Sequence, residues 1–164
     1  MTTLMTWQEI CENPQLRDLP FKIEQDRYGR IVMSPTGFSH GKRQIEVGHL
    51  LRGLLPEWDV VSEVGIDTSE GVRVPDVSAR HPGGPDWNEK FSMPAAPDIC
   101  VEVTSASNSR SEMEEKRRLF AERGCREFWL CADDGKMVFY HAASGRILAR
   151  SEICPEFPEK LRLG

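Results

Sequence analysis

The chain has 164 residues, 39% of them hydrophobic and 29% charged, and a formal net charge of −5. This length fits one domain over residues 1–164, and the composition excludes disordered and fibrous proteins. No apolar run approaches the roughly 18–20 residues that cross a bilayer, and the N-terminus lacks the pattern of a signal peptide. We therefore expect a cytoplasmic protein with no membrane contact, in which five scattered cysteines are reduced thiols.

The negative charge is concentrated in the middle of the chain. Residues 57–102 contain ten acidic and three basic residues, a net charge of −7, whereas residues 40–54 and 108–126 carry a small excess of bases. A basic surface beside an acidic centre can hold phosphates close to metal-binding carboxylates. Solvated helix faces would give the same pattern, so charge alone leaves both interpretations open.

The N-terminal segment predicts a short helix followed by a hairpin. Thr6 and Glu9 have the spacing of a capping box, which begins helices. Residues 21–25 and 30–33 flank a turn with a glycine, a pattern typical of a β-hairpin.

The next segment predicts a longer helix and two strands. Ser39 is the predicted N-cap of a helix that ends before Pro56 and carries an apolar stripe at helical spacing. Alternating and β-branched residues predict strands at 58–66 and 72–79.

The second half predicts a strand-helix-strand unit. A Pro/Gly-rich loop over residues 81–97 precedes a strand at 98–104. Ser109 begins the next helix, and Gly124 ends it. Three further strands are predicted near residues 126–132, 136–141 and 146–150. This order predicts an α/β fold, a mixed sheet flanked by helices.

The predicted strand at 98–104 contains a glutamate among apolar residues. Alternation places Val101 and Val103 on one face and Glu102 on the other. Burying a carboxylate costs free energy unless a cation or a hydrogen-bond donor meets it. Glu102 is therefore either a salt-bridged glutamate or a cation ligand, and this segment leaves both open.

Lys116 lies in the apolar stripe of the following helix. It comes three residues after Met113 and four before Phe120, so all three share one face. A lysine in this position snorkels to water, pairs with a buried acid or belongs to an active site. Arg117 and Arg118 lie off this face and are predicted to be solvated.

Asp76 is the third residue of interest. It follows Pro75 and shares a strand face with Val72 and Val74, so it is predicted to point inward. Asp76 and Glu102 on neighbouring strands would form a pair of carboxylates. Oxygen ligands favour Mg²⁺ or Mn²⁺ over zinc.

Pro75-Asp76, then Glu102-Val103-Thr104, then Lys116 resemble the motif of the PD-(D/E)xK nuclease superfamily in order and spacing. More closely, the run from Pro97 to Leu130 resembles a restriction-endonuclease-like family of small bacterial proteins. Gly29–Pro35 and His40 also match the N-terminal pattern of this family. The resemblance extends from about residue 20 to 140 and implies a restriction-endonuclease-like core.

The resemblance implies roles for individual residues. Asp76 and Glu102 match the two metal-ligand acids, and Lys116 matches the catalytic lysine. The superfamily usually has its lysine at the position of Thr104, and this family supplies it from the following helix instead.

A third acid is implied as well, and two residues compete for it. Glu24, on the first hairpin, most nearly matches the early glutamate of the family. Glu63 lies on the strand before the PD motif and is the alternative.

The implied function is an endonuclease that uses Mg²⁺ or Mn²⁺ to hydrolyse phosphodiester bonds of DNA. Cleavage of both strands needs two sites, so a homodimer is expected by analogy. Candidates for contact with DNA or the site are His40, Ser105, Ser107, Asn108 and Ser109, although a capping or hydrogen-bonding role explains them equally well. The alternative function is a non-catalytic DNA-binding or protein-interaction module that keeps the nuclease fold. Thr104 and the acidic net charge favour that alternative modestly.

Overall fold

The computed structural model describes residues 4–106 and 108–164, which contain three helices and eleven strands. The helices are α1 (Trp7–Glu12), α2 (Phe38–Leu54) and α3 (Arg110–Glu122). The strands are β1 (Phe21–Asp26), β2 (Ile31–Pro35), β3 (Asp59–Ser62), β4 (Gly65–Thr68), β5 (Gly71–Arg73), β6 (Val77–Arg80), β7 (Ser92–Met93), β8 (Ile99–Val103), β9 (Glu127–Cys131), β10 (Met137–His141) and β11 (Ile147–Leu148).

The described strands form two mixed sheets. The five-stranded sheet has the order β2-β1-β5-β4-β7, and the six-stranded sheet has the order β11-β10-β9-β8-β6-β3. In the six-stranded sheet, β8 and β9 are parallel and are joined through α3, as the strand-helix-strand pattern predicts. The predicted α/β fold class is confirmed, but the division of the strands between two sheets was not predicted.

Each of the strands predicted at 58–66 and 72–79 is two shorter strands in different sheets. The first breaks at Glu63, which has a φ of 55°. The second breaks at Val74-Pro75-Asp76, where the proline cannot donate to a strand ladder. The two breaks lie side by side, since the Glu63 amide donates to the Asp76 carbonyl at 3.2 Å. Asp76 therefore lies where the chain crosses from one sheet to the other.

The helix ends follow from local capping. α1 begins after Thr6 with both hydrogen bonds of the predicted capping box. α3 begins after Ser109, whose hydroxyl accepts the Glu112 amide, and the chain leaves it at Gly124, with a φ of 103°. The N-cap predicted at Ser39 is wrong. The Gly41 amide already donates to the Gly37 carbonyl, so α2 begins two residues earlier than its predicted cap allows.

The core lies on both faces of β8. On one face, Val101 and Val103 pack in a cluster that includes Leu51 of α2. On the other face, Cys100 packs in a cluster that includes Phe120 of α3. Because helices cover both faces, β8 is a central buried strand, and any charge on it needs a partner.

Two whole-chain expectations concern cysteines and membranes. All five cysteines are free thiols, as expected. Among the helices in the described residues, none has the length and apolar character to cross a membrane.

Candidate active site

Five charged side chains meet at the junction of the two sheets. Glu102 comes from β8, Asp76 from the crossing between β5 and β6, Lys116 from α3, and Lys22 and Glu24 from β1. All five are buried, with relative exposures between 1% and 8%. The structure therefore brings together the three residues of the predicted motif and the candidate third acid Glu24, and it adds Lys22.

Asp76 is fixed by backbone hydrogen bonds on both sides. Its amide donates to the Val101 carbonyl at 3.0 Å, and its Oδ2 accepts the Val103 amide at 2.7 Å. Both partners belong to β8, the strand that carries Glu102. The two carboxylates are thus tied to one strand, which fixes their separation.

Two ammonium groups bridge the three carboxylates in an alternating row. Lys22 Nζ lies 2.9 Å from Asp76 Oδ1 and 3.2 Å from Glu102 Oε2. Lys116 Nζ lies 3.1 Å from Glu102 Oε1 and 2.9 Å from Glu24 Oε1. Three carboxylates against two ammonium groups leave one uncompensated negative charge in a buried site.

The shared environment moves the pKa values of these groups in different directions. Burial opposes the charge on Asp76, but hydrogen bonds from His40 and Lys22 hold its pKa well below its usual range. Burial raises the pKa of Glu102 despite the charges of Lys116 and Lys22. Burial would lower the pKa of Lys22, but the facing carboxylates raise it above its usual range.

Glu24, rather than Glu63, is the acid that reaches the site. Its Oε1 also accepts the Val74 amide at 2.7 Å, and despite burial the Lys116 charge lowers its pKa. Glu63 is exposed, and its carboxylate accepts a hydrogen bond from Gln44 at 3.2 Å.

Lys22 was missed by sequence reasoning because β1 has an inverted pattern. Phe21 is 40% exposed, whereas its charged neighbour Lys22 is buried. Ordinary alternation assigns the apolar residues of a hairpin to the core. The available signal was that Lys22 and Glu24 are two residues apart and so share one face of the strand.

His40 lies at the edge of the same group. Its Nε2 is 3.4 Å from Asp76 Oδ2, and its side chain is 16% exposed. Within the described ranges, His40 Nδ1 is the one buried side-chain nitrogen or oxygen without a hydrogen-bond partner. An imidazole with a spare nitrogen beside a carboxylate can accept or donate one further hydrogen bond to a ligand.

The polar residues after β8 form a turn before α3. The Ser105 amide donates to Asn108 Oδ1 at 2.8 Å, a bond that closes this turn, whereas the N-cap of α3 is Ser109. Ser105 and Asn108 also line the cavity that the buried charged side chains border. Thr104 donates its hydroxyl to the Cys131 carbonyl at 3.2 Å. Ser107 lies outside the described residues.

Arg43 is a second buried cation that the sequence did not reveal. It lies on α2 with an exposure of 2%, and its guanidinium donates to the Thr104 and Cys131 carbonyls at 2.8 and 3.3 Å. These carbonyls follow or end the parallel strands β8 and β9. Arg43 therefore joins the ends of the two strands just beyond Glu102.

The prediction that Arg117 is solvated is wrong. Its exposure is 6%, and its guanidinium contacts the Ala142 carbonyl and Glu114. The buried face of α3 is wider than its apolar residues alone indicate, because the Arg117 guanidinium donates to a backbone carbonyl that follows β10. Arg118 is exposed as predicted, with 57% side-chain exposure.

The charged row lines a cavity of about 240 Å³. Its walls come from the hairpin, α2, β8 and α3, and they include His40 and Glu112. A neighbouring groove of about 830 Å³ shares Ser105 and Asn108 with it and includes Arg110. The cavity and the larger groove are therefore adjacent at Ser105 and Asn108.

The donor set fits a hard divalent cation in chemistry, because Asp76 and Glu102 each direct a carboxylate oxygen at one point. That point holds the ammonium of Lys22. Accordingly, in residues 4–106 and 108–164 no three His, Cys, Asp or Glu side chains are arranged as a ready metal site.

Comparisons with known proteins agree with this fold. A family model described as "Uma2: Putative restriction endonuclease" matches residues 11–163. Among solved structures, the chain is similar to the crystal structure of a putative nuclease belonging to DUF820 from Anabaena variabilis ATCC 29413, with a TM-score of 0.69. The two chains are 16% identical, and the match covers 97% of this chain and 95% of the other. No curated protein matches the chain.

Proposed function

Since the chain belongs to the Uma2 family of putative restriction endonucleases, we propose that it is a metal-dependent endonuclease that hydrolyses phosphodiester bonds of DNA. The observation that carries the proposal is the burial of three carboxylates and two lysines around one cavity at the junction of the sheets. Such a cluster is expensive for folding, and clusters of this kind are concentrated at functional sites.

In this proposal Asp76 and Glu102 hold Mg²⁺ or Mn²⁺, and Glu24 completes the acidic wall. When bound, the cation supplies Lewis-acid polarisation of the scissile phosphate. Asp76 needs no reorientation for this role, because backbone hydrogen bonds to β8 already fix its carboxylate.

Lys116 supplies positive charge next to the proposed metal ligands. Its ammonium is held by Glu24 and Glu102, so it is oriented before substrate arrives. In the reaction it would orient the attacking water or stabilise the negative charge that develops on the phosphate. Water forms one P–O bond as the opposite P–O bond breaks, and the products are a phosphomonoester and a hydroxyl.

The residues at the mouth of the cavity would position the DNA backbone. His40, Ser105 and Asn108 line the cavity, and the groove beside it contains Arg110 near the N-terminus of α3. Donors at a helix N-terminus favour phosphate. Cleavage of both strands would require two copies of this site, so we also propose that the protein acts as a homodimer.

A second candidate function is a non-catalytic DNA-binding or protein-interaction module. It is favoured by one observation: the two carboxylate oxygens that face the proposed metal position are already paired with Lys22. A buried site in which every carboxylate contacts an ammonium group can be purely structural.

The test is cleavage of supercoiled plasmid, and of RNA as a second substrate, with Mg²⁺ or Mn²⁺. We expect the wild type to cleave the plasmid, and Lys116→Met to lower the rate at least about 100-fold, because stabilisation of the developing phosphate charge is lost. Lys116→Arg keeps the charge and should retain more activity. Lys136→Met, which alters an exposed lysine between β9 and β10, should cleave like the wild type.

Circular dichroism must show that Lys116→Met is folded at the assay temperature. Equal cleavage by the wild type and Lys116→Met would contradict the proposed role of this lysine. Cleavage of RNA but not of plasmid would reassign the substrate, and cleavage of neither would favour the non-catalytic module.

A further inference from the structure

The ammonium of Lys22 lies between the two carboxylates that are the proposed metal ligands. It contacts Asp76 Oδ1 at 2.9 Å and Glu102 Oε2 at 3.2 Å. The three side chains are 7%, 1% and 4% exposed, so water competes little for these contacts. Hydrogen bonds between ionised groups are roughly twice as strong as neutral ones.

The remaining oxygens of this pair are also engaged. Asp76 Oδ2 accepts the Val103 amide, and Glu102 Oε1 accepts Lys116. A divalent cation shared by both carboxylates would have to lie about 2.0–2.6 Å from an oxygen of each. The two oxygens that face each other already share the Lys22 nitrogen, so metal and ammonium compete for one place.

We propose that Lys22 gates the metal position: its ammonium competes with a divalent cation for the place between Asp76 and Glu102 and leaves it when the cation binds. This inference rests on the metal site of the proposed function and adds a gate to it. Lys22 also explains how three buried carboxylates remain stable without metal, since it neutralises one of them.

The surroundings of Lys22 allow it to leave. Its stem has four rotatable bonds, and the cavity of about 240 Å³ lies directly against it. It comes from β1, which together with the edge strand β2 forms a hairpin. Lys116, in contrast, forms its ion pairs with Glu24 and Glu102, so it is the matched cation that does not close the shared position.

The test is a titration of each protein with Mn²⁺, in which electron paramagnetic resonance measures the concentration of the free ion. The proteins are wild type, Lys22→Met, Lys116→Met and the surface variant Lys136→Met. Lys22→Met and Lys116→Met remove the same charge from the same row, but only the first opens the position between Asp76 and Glu102.

We expect Lys22→Met to bind Mn²⁺ at least about tenfold more tightly than the wild type, because binding no longer breaks two charge-assisted hydrogen bonds. It should also bind more tightly than Lys116→Met, and Lys136→Met should match the wild type. Equal affinities of Lys22→Met and the wild type would overturn the inference. Equal gains in Lys22→Met and Lys116→Met would do so too, since they would indicate a simple charge effect.

A second measurement uses the wild type, in case Lys22→Met does not fold. Amine-reactive labelling is quantified by mass spectrometry with and without saturating Mn²⁺, and exposed Lys136 is the internal reference. We expect Mn²⁺ to raise the labelling of Lys22 several-fold and to leave Lys136 unchanged. Unchanged labelling of Lys22 at saturation would overturn the inference.

These readouts separate the gate from the proposed function. A protein that binds Mn²⁺ in this way but leaves DNA intact would support the gate and contradict the nuclease. A protein that cleaves DNA without any change in Lys22 labelling would support the nuclease and contradict the gate.

Discussion

Asp76 and Glu102 are both buried carboxylates, but their pKa values move in opposite directions. The pKa of Asp76 in the folded protein lies below the ordinary 3.8. Its ionisation therefore stabilises the fold above that pH, and this stabilisation is lost as the pH falls through the pKa of the folded protein. The pKa of Glu102 lies above the ordinary 4.5, so its charge lowers stability at neutral pH. Among the three buried carboxylates, Glu102 is therefore the one whose ionised form destabilises the folded protein.

This difference gives a prediction for neutral isosteres in metal-free buffer at pH 7. Asp76→Asn should lower the free energy of unfolding by about 2–4 kcal/mol, because the hydrogen bonds to the charged form are lost. Glu102→Gln should change it by less than about 1 kcal/mol or raise it, because the uncompensated charge disappears. Urea denaturation measures both.

The pH dependence provides the control. The difference in the free energy of unfolding between wild type and Asp76→Asn should become smaller below about pH 4. In that range Asp76 of the wild type takes up a proton in the unfolded chain before it does so in the folded protein, and this favours unfolding. A loss of stability in Glu102→Gln as large as that in Asp76→Asn would contradict this account of the charged row.

At the scale of elements, Arg43 on α2 connects the ends of β8 and β9. It donates to the Thr104 and Cys131 carbonyls and pairs with Asp133, which is 61% exposed. The Cys131 carbonyl also accepts the Thr104 amide and hydroxyl, so the Thr104 carbonyl is the one that relies on this guanidinium. The exposed carboxylate of Asp133 has water as an alternative partner. The connection fixes the segment that follows Glu102.

We predict that Arg43→Met lowers the free energy of unfolding by about 1–3 kcal/mol, since the Thr104 carbonyl loses its guanidinium donor and the link between the two strand ends is removed. Arg43→Lys should recover only part of this loss, because an ammonium does not reproduce the guanidinium fork. Asp133→Ala is the matched control and should cost less than about 1 kcal/mol. Chemical denaturation gives all three values. An equal loss in the free energy of unfolding for Asp133→Ala and Arg43→Met would contradict this account, since it would show that the ion pair with Asp133, and not the carbonyl contacts, supplies the stability.

Local sequence patterns predicted the elements better than the connections between them. The capping residues Thr6 and Ser109 begin α1 and α3 as predicted, because caps act over three or four residues. The division of strands at Glu63 and Pro75 was missed, because periodicity does not identify the sheet that a strand joins. Pro75 is the available signal, since a proline inside a predicted strand marks an irregularity, but it does not identify the sheet that the chain joins next.

The same limit applies to the charged row. Asp76, Glu102 and Lys116 could be proposed because a charge in an apolar pattern is visible in one segment. Lys22 and Arg43 could not, because each is buried through partners far along the chain, as in the contact between Lys22 and Asp76.

At the scale of the whole molecule, the acidic charge and the site are connected. The net charge is −5, and residues 57–102, with a net charge of −7, contain Asp76 and Glu102. An acidic protein has little general attraction for DNA. A divalent cation at this centre would offset the repulsion where a phosphate approaches, so the charge distribution is consistent with DNA contact that depends on metal. One domain over residues 1–164 stays a prediction.

The central claim is that Glu102 and its neighbours form the active site of a metal-dependent DNA nuclease. The most direct measurement is the rate at which a 5′-labelled duplex is cleaved in Mn²⁺ by wild type and by Glu102→Gln, purified side by side. We predict cleavage by the wild type that stops in EDTA, and a rate at least about 100-fold lower for Glu102→Gln, whose fold is retained. Equal rates for the two folded proteins, or no cleavage by a wild type that binds Mn²⁺, would contradict the claim.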